Sequence, residues 1–136
     1  MVENISPQQV WDALREDKQA QLVDVRTDAE WAYVGLADLS AAGKQPVLIA
    51  WQIFPKMEVN TGFVEQLKQA GFGPEHHIYF LCRSGVRSLA AANAAQAAGF
   101  ANVFNVADGF EGNADGEGHR GMLGGWKALG LPWRQR

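Results

Sequence analysis

Four apolar runs, each continuous rather than alternating and the first three each followed by a helix-patterned segment, leave this chain few ways to fold. They are QLVDV (21–25), PVLIAW (46–51), HIYFLC (77–82) and NVFNVA (102–107). A strand that is apolar on both faces has to be covered on both faces, and strands interleaved with helices pair in parallel. The helices mark their own ends. Ser6, Pro7 and Gln9 supply an N-cap, a first-turn proline and a capping-box partner, and Val10, Trp11 and Leu14 give the helix that follows an apolar stripe. Thr27 and Glu30 repeat the box ahead of a helix carrying Trp31 and Val34. Asn60 is expected to cap a helix that turns Phe63, Val64 and Leu67 inward and stops at Gly71. Residues 86–98 read as an alanine-rich helix stopped by Gly99.

At 136 residues and 47% hydrophobic content, the chain is expected to be one domain, residues 1–136, with a core of its own. A net charge of −3 gives no general attraction to phosphate backbones, so nucleic acid is not an expected partner. The single cysteine cannot close an internal disulfide and suits a reducing compartment. MVENISPQQVWDAL has no basic stretch ahead of an apolar one, and no window approaches the ~20 apolar residues of a membrane span. A cytoplasmic domain with no membrane partner is the expectation. Residues 108–125, DGFEGNADGEGHRGMLGG, are too rich in glycine for a packed element and read as a long loop before a short helix at 126–129. That loop leaves the carboxyl end of the last clear strand. With His119 and Arg120 it either folds beside the neighbouring strand ends or tethers the final helix.

The one thiol sits in LCRSGVRS (81–88), where a strand hands over to a helix. In an open α/β sheet, ligands collect outside the carboxyl ends of the strands, and Cys82, Asp24 and Arg26 all lie at such ends. Small residues after Cys82 can wrap the backbone into a cup of inward N–H groups, to which the next helix adds its positive end. Those donors, with Arg83 and Arg87, favour a thiolate. A lone cysteine is ordinarily a small buried hydrophobe. An inert one, however, gains nothing from two nearby guanidinium groups.

LVDVRTDAEW (22–31) followed by YFLCRSGVRSLAAANAAQAAGFANVFNVADGFEG (79–112) resembles the single-domain rhodaneses, sulfurtransferases of the rhodanese-homology family. GHRGMLGGWKALGLPW (118–133) resembles the ending of one bacterial subgroup of them. The resemblance implies a three-layer α/β fold whose central, mainly parallel sheet has about five strands, with helices on both faces. It implies a Cys82 thiolate that takes a sulfane sulfur from thiosulfate or a persulfide or polysulfide donor and passes it to a thiol, cyanide or a protein acceptor, without a cofactor. Arg83, Ser84, Gly85, Val86 and Arg87 become the loop that cradles donor and persulfide, with Arg83 on the donor's anionic end. Asp24, Arg26 and Ser88 become supporting residues, Asp24 being expected to pair with Arg87. Two departures stand out. The family's Gly-His-Ile-Pro-Gly-Ala is here VGLADLSAAGK (34–44), and Ser84 stands where thiosulfate-specialised members often carry a second basic residue.

Cysteine phosphatases also hold a thiolate in a cup of N–H groups, but they place five residues between cysteine and arginine; four intervene here. A sulfur carrier or regulatory module that binds a protein partner is the alternative outside catalysis. No metal is expected. His76 and His77 point to opposite faces of a strand, and Glu111, Asp115, Glu117 and His119 match no calcium-loop spacing. The tryptophans read as core or interface residues, Trp51 being the one placed to line a pocket mouth.

Overall fold

The computed structural model describes residues 2–53, 55–112 and 124–135. Strand β1 (Glu3–Ile5) leads into helix α1 (Pro7–Glu16), where Ser6 and Gln9 form the capping box that their spacing predicts. Strand β2 (Ala20–Asp24) is followed at once by α2 (Asp28–Tyr33), opened by the second box of Thr27 and Glu30. Next come β3 (Leu36–Ala37), a single 3₁₀ turn at Ser40–Ala42, and β4 (Val47–Leu48). A small hairpin of β5 (Gln52–Ile53) and β6 (Glu58–Val59) precedes α3 (Phe63–Gln69). Strand β7 (His77–Leu81), helix α4 (Val86–Ala97) and strand β8 (Val103–Val106) follow, and β9 (Trp133–Arg134) pairs antiparallel with β3.

The main sheet has the order β1-β8-β7-β2-β4 and is parallel throughout. From β2 the chain moves on to β4 on one side, whereas from β7 it moves on to β8 on the other. The connections therefore diverge between the carboxyl ends of β2 and β7, which is where an α/β sheet opens a crevice. Asp24 and Leu81 are register partners there, and Val25 N–H donates to the Leu81 carbonyl. This is the point that places the site.

Alternation along β7 divides the core. Ile78, Phe80 and Cys82 pack with Phe63 and Leu67 of α3 and Ala91 and Ala95 of α4. Tyr79 and Leu81 face the other way, toward Val10 and Leu14 of α1 and toward Phe110 and Trp126. Each fully buried Leu or Phe contributes about 1.5–3 kcal/mol, so both faces are needed to hold the sheet. Lys44 fastens the α1–β2 junction, its Nζ donating to the carbonyls of Leu14, Asp17 and Ala20. Among the described residues, no helix is long and apolar enough to cross a membrane.

Several expectations are corrected. Asn60 does not cap α3: Gly62 stands at the N-cap, while Asn60 accepts the Gly62 N–H and donates to the Ala50 carbonyl. Its side chain is spent two residues early, on a turn that ties the helix start to the end of the PVLIAW segment. Within that segment only Val47–Leu48 forms ladder strand, because the chain turns off into the β5–β6 hairpin. Residues 126–129 form successive turns rather than a helix, closed by Leu131 N–H on the Trp126 carbonyl. Glycines at 125 and 130, both with positive φ, leave too short a run to nucleate one. Strands β1, β3, β5, β6 and β9 carry no strong sequence signal; they are two or three residues long.

Candidate active site

Cys82 continues the inward alternation of β7 past its end, and its side chain is 1% exposed. Two groups converge on its sulfur. The Gly85 backbone N–H donates to Sγ at 3.1 Å, and the Ser88 hydroxyl lies 3.2 Å from it. Gly85 is the N-cap of α4 with φ of 105°, a left-handed conformation that returns the chain toward the sulfur and that a side chain would strain. Ser88 is one turn into the helix and fully buried. The loop thus brings its donors to the thiol from the helix start.

The expected pairing of Asp24 with Arg87 does not occur. Asp24 instead binds Arg26, Nη2 to Oδ2 at 2.6 Å and Nε to Oδ1 at 2.9 Å, and both side chains are 0% exposed. Strand parity is the reason. Asp24 falls on the face of β2 that carries Ala20 and Leu22, whereas α4 and Arg87 cover the face that carries Val23 and Val25. Arg26 follows Asp24: its guanidinium stacks 4.4 Å from the Phe110 ring centroid, and its Nη2 donates to the Gly35 carbonyl. That contact gives the one retained glycine of the divergent 34–44 segment a role.

Arg87 pairs with Glu30, Nη1 to Oε1 at 2.6 Å and Nη2 to Oε2 at 2.9 Å. Helices α2 and α4 start from neighbouring strands, so this bidentate bridge joins the two first turns. Burial would push the Glu30 carboxyl up, but the Arg87 hydrogen bonds and charge, helped by Thr27 and Arg26, outweigh it and hold it below the ordinary value of 4.5. Arg87 is raised in turn, first by its hydrogen bonds to Glu30, against burial, and then by the charges of Glu30, Cys82 and Asp24. A depressed carboxyl contributes stability above its unfolded pKa and loses it as pH falls through the folded one. The gap in melting temperature between the protein and Glu30→Gln is therefore expected to be constant above about pH 5.5 and to shrink steadily below about pH 4.5. Melts at successive pH values check it; a gap unchanged down to pH 3 contradicts the bridge.

The start of the glycine-rich stretch supports the loop from beneath. Phe110 N–H donates to the Cys82 carbonyl at 2.8 Å, and Glu111 N–H to the Arg83 carbonyl at 2.9 Å. Gly109 makes this approach possible: with φ of 60°, a Cβ there would lie 2.4 Å from the Cys82 carbonyl oxygen and 2.7 Å from Arg83 backbone atoms. Trp126 and Lys127 then donate back to the Gly109 and Phe110 carbonyls. Residues 108–112 are thus a packed buttress rather than an open loop. The expectations for Asp115, Glu117, His119 and Arg120 lie outside the described residues.

The loop separates two depressions. Arg83 and Arg87 wall a cleft of about 410 Å³ with Thr27, Glu30, Gln52 and Met57. Ser84, Gly85 and Val86 line a second one on the far side, with Asn4, Asn105 and Asp108. Among the described residues, the Arg83 side chain has no hydrogen-bond or ion-pair partner. Trp51 turns inward onto Phe63, at 5.3 Å between ring centroids, and its neighbour Gln52 reaches the cleft instead. His76 accepts the Gly73 N–H in a turn, while His77 meets Asp17. Sequence reasoning missed Glu30 as the partner of Arg87, and it missed Asn105, which holds Ser88 and Gly85. Asn105 did leave a signal: a carboxamide within NVFNVA, at an inward position.

The chain is similar to known proteins in sequence and fold. A Rickettsia conorii protein of uncharacterized function is 38% identical over 133 residues, 98% of each chain. The crystal structure of Rv0390 from M. tuberculosis superposes with a TM-score of 0.91 at 44% identity, covering 99% of this chain and 98% of that one. The rhodanese-like domain of an Anabaena protein shares the fold at a TM-score of 0.67 and 16% identity, covering 100% of this chain and 81% of that one. The STR4 middle domain family matches residues 2–136. With nearly its whole length matched, the chain belongs to the STR4 middle domain family, built on a rhodanese-like fold.

Proposed function

We propose that the protein is a sulfurtransferase that carries sulfane sulfur on Cys82. The observation that carries this reading is the convergence of the Gly85 N–H and the Ser88 hydroxyl on the sulfur, at the sheet's switch point and beside Arg83, which lines the neighbouring cleft. Donors aimed at sulfur favour its anionic forms, thiolate before transfer and persulfide after it. With thiosulfate, the Cys82 thiolate attacks the sulfane sulfur. A new S–S bond forms, the bond to the sulfonate breaks, and sulfite leaves with the electron pair. Cyanide or a thiolate then attacks the outer sulfur. That S–S bond breaks, the thiolate of Cys82 returns, and thiocyanate or a new persulfide departs. No cofactor or metal is required by this balance.

The mass of the protein after incubation with thiosulfate tests the proposal. A gain of one sulfur atom that cyanide removes is the expected result, and no gain with thiosulfate or polysulfide overturns it. We assign Arg83 to the donor's anionic end, supported by its place in the cleft beside the Cys82 loop. Arg83→Ala is expected to raise the KM for thiosulfate about five- to tenfold with kcat little changed, the scale of one charge-assisted hydrogen bond at an exposed site. Because that charge is solvated, the KM of the unaltered protein should also rise with ionic strength. A kcat effect without a KM effect contradicts the assignment.

A further inference from the structure

We infer that Asn105 is the positioning residue of the site, holding both groups that touch the Cys82 sulfur. It lies on β8, opposite Phe80 of β7, and is 3% exposed. Its Nδ2 donates to the Gly85 carbonyl at 3.1 Å and to Asn4 Oδ1 at 2.8 Å. A carbonyl can only accept, so this contact fixes which end of the amide is nitrogen. Oδ1 therefore faces Ser88, whose Oγ is 2.5 Å away. One side chain thus grips Gly85 through its carbonyl and Ser88 through its hydroxyl. These are the same two residues whose N–H and O–H reach Sγ.

The chemistry explains why an amide suits the position. A hydroxyl has one proton, and here it has two acceptors, Asn105 Oδ1 and Cys82 Sγ. With a neutral thiol, S–H can donate to Oγ while O–H stays on the amide. With an anionic sulfur, the hydroxyl turns its proton to Sγ from a position the amide has already set. The Gly85 N–H needs no such turn, because the Asn105 bond to its carbonyl holds the left-handed peptide in place. Asn4, on edge strand β1, anchors the amide from behind. Charged residues flank the loop and its neighbouring strands: Arg83 in the loop, Arg87 on α4, Asp24 on β2 and Asp108 after β8. None of them is hydrogen-bonded to Asn105, so its effect is separable from theirs.

This rests on Cys82 as the sulfur carrier, but its test need not. As the only cysteine, Cys82 can be followed by its alkylation with iodoacetamide across pH 5–10 in the full chain. In Asn105→Ala, alkylation at pH 7 is expected to slow about tenfold, with the half-maximal rate reached at higher pH, the scale of a lost hydrogen bond to an ionised group. In thiosulfate–cyanide turnover, kcat should fall while the KM for thiosulfate stays within about twofold, since Arg83 is untouched. Asn4→Ala, at the exposed edge, should move alkylation in the same direction by about twofold, and it serves if Asn105→Ala does not fold. Ser88→Ala combined with Asn105→Ala should slow alkylation by less than the product of the two separate effects. A folded Asn105→Ala with an unmoved pH profile, or a fully multiplicative pair, overturns the inference. If the unaltered protein takes up no sulfur, the sulfurtransferase proposal fails and the alkylation series alone decides the role of Asn105.

Discussion

Cys82→Ser is expected to reduce sulfur transfer to the uncatalysed background while the fold survives. The substitution replaces sulfur by a smaller oxygen that can still accept from the Gly85 N–H and engage Ser88, so the loop keeps its internal contacts. Cys82 also packs in the α3–α4 face of the core, where a hydroxyl is less welcome than a thiol. A fall of a few degrees in melting temperature is expected from that, not unfolding. The chemical loss is of another order. A hydroxyl stays protonated near neutral pH and forms no persulfide, and the chain has no second cysteine to substitute for it. Thiocyanate production from thiosulfate and cyanide, with the intact mass after thiosulfate alone, gives the answer. Turnover by Cys82→Ser above the protein-free rate contradicts sulfur transfer through this residue, and a global loss of structure contradicts the loop geometry.

What the sequence made legible follows from the range of the interactions involved. Both capping boxes were readable because they close over three residues of one segment: Ser6 with Gln9, and Thr27 with Glu30. The runs at 21–25, 77–82 and 102–107 and the parallel sheet were readable because burial on two faces writes itself into composition, whereas the run at 46–51 keeps only Val47–Leu48 in the ladder. Partner choice across the sheet was not. Arg87 had two carboxylates within reach of a guess, Asp24 and Glu30, and strand parity decides between them. The resemblance drew attention to Asp24, yet the residue already marked as a capping-box partner is the one that receives Arg87. Asn105 is 17 positions from Ser88 and 101 from Asn4, and only the order β1-β8-β7 brings the three together. Likewise, the glycines of 108–125 announced a loop; that Gly109 lets it press against the Cys82 carbonyl is a property of the folded chain.

The buried Asp24–Arg26 pair should make the two halves of that pair unequal under mutation. Both side chains are fully buried, and the guanidinium rests between Asp24, the Gly35 carbonyl and the Phe110 ring. Removing one member of such a pair leaves an uncompensated charge, which costs about 3–5 kcal/mol. The remaining partner can escape that cost only by becoming neutral. An aspartate can take up a proton; an arginine cannot give one up in a protein. Asp24→Ala is therefore expected to be the more damaging change, lowering the melting temperature by roughly 10–20 °C for a chain of this size. Arg26→Met should cost less, because the stem keeps its packing against Phe110 and Asp24 still accepts the Arg26-position backbone N–H. Thermal melts of the two variants test this. Equal penalties would mean that the pair's stability does not come from compensated burial of charge. Because β2 ends where the Cys82 loop begins, with Val25 hydrogen-bonded to Leu81, loss of this pair is also expected to slow persulfide formation in whatever fraction remains folded.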